Sequence, residues 1–292
     1  MIQNSNIINR FKEILSQKGP HSDDFNEIIR IVDELSTDDE IEKFRDMLEP
    51  VLKPDTIIGH SYTKPLGYSG DYLIIEKMYR FHKNTHPNYV KWDEFFHWLP
   101  AASAVINRKK LAVSLLKKLN QNTKKEYPRV LILGSGPATE VNEYLESVTD
   151  NKLHFELVDF DQRAIEYATE KNQKYMEHIT FHNKNVLRFS PDGCFDLIWS
   201  AGLFDYFQDK LFVRLLRRFS YYLSDNGEMI IGNFNISNPS KKIMEVLGDW
   251  YLYHRSQELL TNFAMEAGIN KENIEIFSEP LGINLFLKIK KS

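Results

Sequence analysis

The most restrictive feature of the chain is a short apolar run that ends on glycines. Val130-Leu131-Ile132-Leu133 passes straight into Gly134-Ser135-Gly136-Pro137-Ala138-Thr139-Glu140, and a helical pattern follows over 139–148. An unbroken apolar run of this length suits a strand covered on both faces. Gly134 permits a tight turn, and Gly136 lets the backbone approach a ligand with no side chain in the way. The texture then repeats. His154–Val158 ends at Asp159, Ile179–His182 is a third strand candidate and Phe195–Trp199 a fourth. Met229-Ile230-Ile231 is a fifth, with Asn226-Gly227 as the turn before it. Helical patterns at 163–175 and 210–223 lie between them. Alternation at this spacing predicts an α/β fold, a parallel sheet with helices on both faces. Ile274–Phe277 and Asn284–Ile289 bracket Pro280-Leu281-Gly282, an antiparallel pair closing the sheet.

Ahead of Pro128 the pattern is helical. Ile7, Ile8, Phe11, Ile14 and Leu15 recur at spacings of three and four, as do Phe25, Ile28, Ile29, Val32 and Leu35. Ser36-Thr37-Asp38-Asp39 offers capping side chains before the stripe of Ile41, Phe44, Met47 and Leu48, which Pro50 and Pro54 end. Further helices are expected over 72–81 and 101–119, the second with Ala104, Ile106, Leu111, Leu115 and Leu119 on its core face. The polar run 121–126 is the expected boundary between an N-terminal helical cap, 1–126, and a ligand-binding domain, 127–292.

Composition narrows the function. Hydrophobic residues at 42% and charged residues at 27% describe an ordinary globular chain. No run approaches the 18–20 apolar residues of a membrane helix, and Met1–Asn6 lacks the basic head and apolar stretch of a signal peptide. One cysteine, Cys194, can form neither an internal disulfide nor a cysteine cluster for a metal. The nine histidines are scattered, so no metal site is expected. The expected location is the cytoplasm. A net charge of −4 argues against nucleic acid as a partner. Charge is uneven, however. Acidic side chains dominate 20–50, where only Arg30, Lys43 and Arg45 oppose them; Arg108, Lys109, Lys110, Lys117, Lys118, Lys124, Lys125 and Arg129 face Glu126 alone over 107–129. These are either solvated helix faces or a weak patch for an anionic partner.

The acid ending the second strand sharpens the reading of the glycine loop. Asp159 stands where a carboxylate accepts hydrogen bonds from both hydroxyls of a ribose, with Phe160 and Asp161 beside it. A dinucleotide fingerprint would put its third glycine where this chain has Thr139, and a P-loop would need a Gly-Lys-Ser/Thr ending. S-adenosylmethionine has a ribose and an adenine but no phosphate, so it tolerates a less glycine-rich loop. The plain alternative is a turn that merely packs a helix on the sheet. Asn185-Val186, after the third strand, is either an adenine contact or a polar turn. Ser200-Ala201-Gly202-Leu203-Phe204-Asp205-Tyr206 follows the fourth strand, at the carboxyl ends of the strands where open α/β sheets bind ligands. Its small residues can line a pocket that Phe204, Tyr206 and Phe207 wall.

With those residues in view, the second half resembles a class I S-adenosylmethionine-dependent methyltransferase. Four segments are similar to one bacterial subgroup: Lys64-Pro65-Leu66-Gly67-Tyr68-Ser69-Gly70-Asp71-Tyr72, Leu133-Gly134-Ser135-Gly136-Pro137-Ala138, Ser200-Ala201-Gly202-Leu203-Phe204-Asp205-Tyr206, and Gly232-Asn233-Phe234 with Asn238-Pro239. That subgroup is labelled for biosynthesis of the extracellular factor 3-hydroxypalmitic acid methyl ester. The resemblance covers roughly 60–270. It implies a Rossmann-like sheet of seven strands with the last antiparallel, S-adenosylmethionine turned over to S-adenosylhomocysteine, and methylation of a small-molecule or peptide carboxylic acid. The chain departs from the family at Leu133, where many members carry an acid that helps hold the methionine amine. Glu140 or an N-terminal residue would supply that contact.

Two aromatic segments are candidates for the acceptor. Tyr62, Lys64, Tyr68, Asp71 and Tyr72 read either as a lid with a free carboxylate at Asp71 or as a tyrosine-rich connector. Asp249-Trp250-Tyr251-Leu252-Tyr253-His254-Arg255 reads either as pocket wall or as an aromatic helix on the core. Methyl transfer is an in-line displacement in which alignment does most of the work. A carboxylic acid is already ionised at neutral pH, whereas an unactivated alcohol needs a base, for which His254, His97, Asp205 and Tyr206 are candidates. Tyr206, Tyr68 and Arg255 are the expected positioning residues, with Asn233, Trp250, Tyr253 and His254 lining the acceptor. Competing readings are methylation of an amine or phenol, a non-catalytic S-adenosylmethionine-binding protein, and, last because of Thr139, a nicotinamide dehydrogenase.

Overall fold

The computed structural model describes residues 2–291; within the first helix the side chains of residues 2–8, Ile7 and Ile8 of the expected stripe among them, lie outside the described residues. The chain divides into two compact units. One comprises Met1–Ser103 and Pro239–Tyr251, the other Ala104–Asn238 and Leu252–Ser292. The division differs from the one expected at 126/127. The polar run 121–126 closes a long helix, α7 (Pro100–Asn122), and leads into the first strand, so it marks the end of an element and not the edge of a unit.

The second unit holds a seven-stranded sheet: β1 (Arg129–Leu133), β2 (His154–Asp159), β3 (Ile179–Asn183), β4 (Phe195–Ser200), β5 (Leu223–Phe234), β6 (Ile274–Ser278) and β7 (Asn284–Lys290). The order is β3-β2-β1-β4-β5-β7-β6, parallel except for β7, which runs antiparallel to both β5 and β6. Strand periodicity explains the burial. Leu131 and Leu133 point to one face with Ile198, Met229, Ile231 and Leu287, under α10 (Asp209–Ser220) and α12 (Gln257–Glu266). Val130 and Ile132 point to the other, with Phe155, Leu157, Leu197 and Trp199, under α7 and α8 (Thr139–Ser147), while α9 (Gln162–Lys171) adds Ala168. Both faces are covered, so the strands are apolar throughout.

Asn226-Gly227 does not precede the fifth strand as expected. It lies inside the twelve-residue β5, where Asn226 takes φ +63° and the pairing with β4 shifts register between Phe195 and Leu197. This is a bulge within one strand.

The first unit is helical: α1 (Ile2–Ser16), α2 (Phe25–Glu34), α3 (Asp38–Leu48), α4 (Ile57–Thr63), α5 (Tyr72–Tyr79), α6 (Val90–Trp98) and α11 (Lys241–Gly248). Thr37 caps α3 through Glu40 N in a capping box, as the Ser36–Asp39 run suggests. The late segment α11 is held here by its carboxyl end. Arg45 Nε and Nη2 donate to the carbonyls of Val246 and Glu245, and Ser61 Oγ donates to Gly248 O. A guanidinium is favoured at a helix C-terminus, where the unsatisfied carbonyls carry partial negative charge.

Candidate functional site

The glycine loop sits at the carboxyl end of β1. Gly134 has φ +69° and Gly136 φ +50°, both in the left-handed region. A Cβ on Gly134 would stand 3.0 Å from Leu203, so this residue must be small as well as left-handed. The amides of Gly134 and Ser135 both donate to Val158 O, at 2.9 and 3.1 Å. Asp159 is the anchor of the loop: its Oδ2 accepts from Gly136 N at 2.8 Å and its Oδ1 from Asp161 N at 3.0 Å. Each oxygen keeps a lone pair for a ribose hydroxyl. Burial raises the carboxyl above its usual range, against the pull of those amides. Ser135 Oγ is buried and has no partner among the described residues. Such a hydroxyl beside a left-handed glycine turn is a vacancy in hydrogen bonding that a ligand oxygen or nitrogen fits.

Around this turn the expected contacts take different roles. Glu140, in the first turn of α8, is buried, and burial raises its carboxyl. Phe160 is an exposed ring. Asp161 caps α9 at Arg163 N and pairs with the Arg163 side chain. Val186 is buried against the core; Asn185 is exposed, and its side-chain oxygen accepts from Leu187 N. Ser200 Oγ donates to Leu133 O, so its hydroxyl joins β4 to β1. Pro137 and Ala138 lead into α8, with Ala138 at φ +49°.

The segment after β4 is fixed by a polar network that corrects two expectations. Arg255 is buried, and every one of its donors is engaged: Nε and Nη2 with Asp209, Nη1 with Phe204 O and Asn233 Oδ1, Nη2 also with Phe207 O. A guanidinium has five N–H groups, so none remains for an acceptor carboxylate. Asn233 likewise directs its amide to Phe234 O and Tyr253 O and its oxygen to Arg255. Both residues position the turn Phe204–Tyr206; neither lines a site. Asp205 completes the brace. Its Oδ1 accepts from Phe234 N at 2.7 Å, and its carbonyl accepts from Tyr253 N. Burial pushes this carboxyl up to about 6, with the cations of Arg108 and Arg255 pulling the other way.

Tyr206 and Tyr253 are left 37% and 44% exposed on this braced segment. His254 is engaged at both ring nitrogens, Nε2 with the Asn238 amide at 3.1 Å and Nδ1 with Leu252 O at 3.1 Å. Residues 249–255 are irregular chain and not the aromatic helix considered above.

Tyr62, Lys64, Tyr68, Asp71, Tyr72 and Trp250 belong to the first unit. The expected free carboxylate at Asp71 is instead buried. Its Oδ1 caps α5 at Leu73 N and Ile74 N, and its Oδ2 meets His60 Nε2 at 2.8 Å. His60 Nδ1 in turn lies 3.2 Å from Lys77 Nζ. Lys64 ends α4 at φ +47° and pairs with Asp249; Tyr62 lies under the Arg45 guanidinium. Trp250 is buried and its amide donates to Met244 O. Tyr68 and Tyr72 are half-buried. His97 is held by His82 O, and burial lowers its ring.

Comparison with known proteins decides the reading of the second unit. The family model of the methyltransferase domain matches residues 130–227, the span from β1 through the loop, Asp159 and the segment after β4. Residues 130–227 carry a methyltransferase domain. Solved structures agree on the fold. One, called a possible exported protein, from Bordetella parapertussis, matches with TM-score 0.62 and 17% identity, over 76% of this chain and 79% of that one. Magnesium protoporphyrin IX methyltransferase from Synechocystis PCC 6803, with bound S-adenosylhomocysteine, matches with TM-score 0.53 and 12% identity over 74% and 93%. The CMeT domain of the citrinin polyketide synthase matches with TM-score 0.51 and 14% identity over 68% and 58%. No curated protein matches the chain in sequence. No described helix is long and apolar enough to cross a membrane.

Two residues of this unit were obscured by their neighbours in sequence. Arg108 and Lys109, read as part of a basic surface run, are both buried. The signal was present: Ala101, Ala104, Val105, Arg108 and Ala112 fall at helical spacing, so Arg108 continues the core stripe of α7.

Proposed function

We propose that the chain is an S-adenosylmethionine-dependent O-methyltransferase whose acceptor is a carboxylate, of a hydroxy fatty acid or a peptide C-terminus, and whose product is a methyl ester. The observation that carries the acceptor class is the state of the candidate bases. His254 is engaged at both nitrogens, and Asp205 is buried with Phe234 N on its oxygen. An acceptor that arrives ionised needs neither. The resemblance to the methyl ester subgroup supports the same class.

Asp159 would hold the ribose hydroxyls, Phe160 and Asn185-Val186 the adenine side, and the unpartnered Ser135 hydroxyl part of the remainder. S-adenosylmethionine held there would supply an activated methyl group with a neutral thioether as its leaving group, and an acceptor that arrives ionised would need no proton removed. What this chain contributes is alignment, worth up to about 7–11 kcal/mol in favourable intramolecular cases. Arg255 holds the backbone around the Phe204–Tyr206 turn through the carbonyls of Phe204 and Phe207, and Asn233 holds Arg255. Tyr206 and Tyr253 hydroxyls would orient the acceptor by neutral hydrogen bonds, which leave a carboxylate more nucleophilic than a bidentate guanidinium does.

The test is transfer of label from methyl-labelled S-adenosylmethionine to 3-hydroxy fatty acids and carboxyl-terminal peptides, followed by mild alkali. Esters release labelled methanol under alkali. Label that survives alkali identifies an ether or amine product and overturns the carboxylate assignment.

A further inference from the structure

In the cofactor reading above, Asp159 would hold the ribose, and neither it nor the glycine loop offers a cation to the amino-acid half. Position follows from strand order. The ribose anchor is at the end of β2, and the sheet runs β2-β1-β4. A ligand crossing from the ribose therefore reaches the end of β4 after two strand spacings, about 10 Å. Gly202 stands there, two residues beyond β4.

Arg108 of α7 covers that glycine. A Cβ on Gly202 would lie 2.7 Å from Arg108 Nη2 and 3.1 Å from both Cζ and Nη1. The Arg108 side chain is buried at 6% exposure, and its Nε has no hydrogen-bond partner. Nor does either of its other nitrogens make a hydrogen bond or ion pair among the described residues. Glu140 and Asp205 feel its charge without pairing with it. A guanidinium desolvated and left unbonded is costly. The contrast within the same unit is sharp, because Arg255 is equally buried and uses all its donors. Arg108 has a planar fork directed at a place where nothing of the chain answers it, and the fork matches a carboxylate. Glu140, on the neighbouring α8, is the acid available to an ammonium group.

We infer that Arg108 binds the α-carboxylate of the cofactor's methionine moiety, forming with Glu140 a subsite for an amino-acid zwitterion. The inference rests on the S-adenosylmethionine reading and goes further by naming the residue that recognises the amino-acid end. Gly202 is small so that this guanidinium can lie on the backbone at the end of β4.

The test compares three ligands by calorimetry: S-adenosylhomocysteine, its decarboxylated analogue and 5′-methylthioadenosine. The wild type should prefer S-adenosylhomocysteine to the decarboxylated analogue by roughly 10- to 100-fold, the range of one charge-assisted contact. Arg108→Gln should abolish that preference and leave 5′-methylthioadenosine binding within about twofold of wild type. Arg108→Lys, which keeps the charge and loses the fork, should retain part of the preference. A wild type indifferent to the carboxylate overturns the inference, as does a preference that persists in Arg108→Gln. The wild-type comparison needs no variant, so a poorly folding substitution does not protect the idea. If the wild type binds none of the three adenosyl compounds, the cofactor reading itself fails and the subsite fails with it. If the first and third bind but the second binds as well as the first, only the subsite fails.

Discussion

At the scale of single residues, the polar groups sort by whether the chain already satisfies them. Asp71 shows one extreme, since it caps α5 with one oxygen and holds His60 with the other. Asp71→Ala should lower unfolding free energy by about 2–4 kcal/mol, the sum of a lost cap and a buried partner left unpaired. Asp71→Asn, which still caps, should fall between, and a urea titration orders the three. A loss of activity with unchanged stability would restore Asp71 to the acceptor site. Asp205 is the other instructive case. Its carboxyl is raised from an ordinary 3.8 to about 6, so the folded state binds the proton more tightly than the unfolded state. The stability this group contributes is therefore fully present below pH 4 and is lost as pH rises through 6. Plotted against Asp205→Asn, wild-type stability should drop by on the order of 3 kcal/mol between pH 4 and pH 7. A flat difference would mean that Asp205 is ionised throughout.

At the scale of elements, legibility followed periodicity. The strands could be read because each is a short apolar run with a turn residue at its end, and both facts are local. The helices α2 and α3 could be read because one face is apolar and the other charged. The helices α4, α6, α11 and α12 were not anticipated, and for α4 burial explains why. In α4, Ile57, Ile58, Gly59, His60 and Ser61 are all buried in succession, and a helix covered on every side has no stripe to detect. The geometry at the candidate site was legible where it is local to one turn: Gly134 and Gly136 take left-handed backbone and Asp159 ends β2. It was misread where it depends on distant partners. Nothing adjacent to Arg255 in sequence says that Asp209, Asn233 and two carbonyls after β4 will take every donor. Gly59 makes the point about α4 testable. A Cβ there would stand 1.9 Å from the carbonyl oxygen of Lys53, and backbone cannot step aside as a flexible side chain can. Gly59→Ala should destabilise by about 3 kcal/mol or more, against the few tenths gained when a helix glycine is replaced in open space. Thermal unfolding of the variant measures it, and a neutral result would show that α4 shifts as a unit.

At the scale of the whole molecule, the sheet explains why its second half could be recognised from a few motifs. The glycine loop, the Asp159 end of β2 and the segment after β4 are brought to the carboxyl ends of adjacent parallel strands by topology alone. Sequence distance between them is large, and spatial order is fixed by β3-β2-β1-β4. The N-terminal helices carry no such rule, and their order in sequence gave no hint that a segment near residue 245 completes them.

That late segment has a consequence for how the protein can be cut. Because Pro239–Tyr251 is part of the helical unit, no single cleavage of the chain releases that unit intact. A fragment ending at residue 103 would leave Arg45 and Ser61 donating to water where the carbonyls of α11 had been, and would expose the apolar side of α2 and α4 that α11 covers. A peptide of residues 239–251 added in trans is the natural mate for such a fragment, so the helical unit is a two-piece body that ordinary inheritance keeps on one thread.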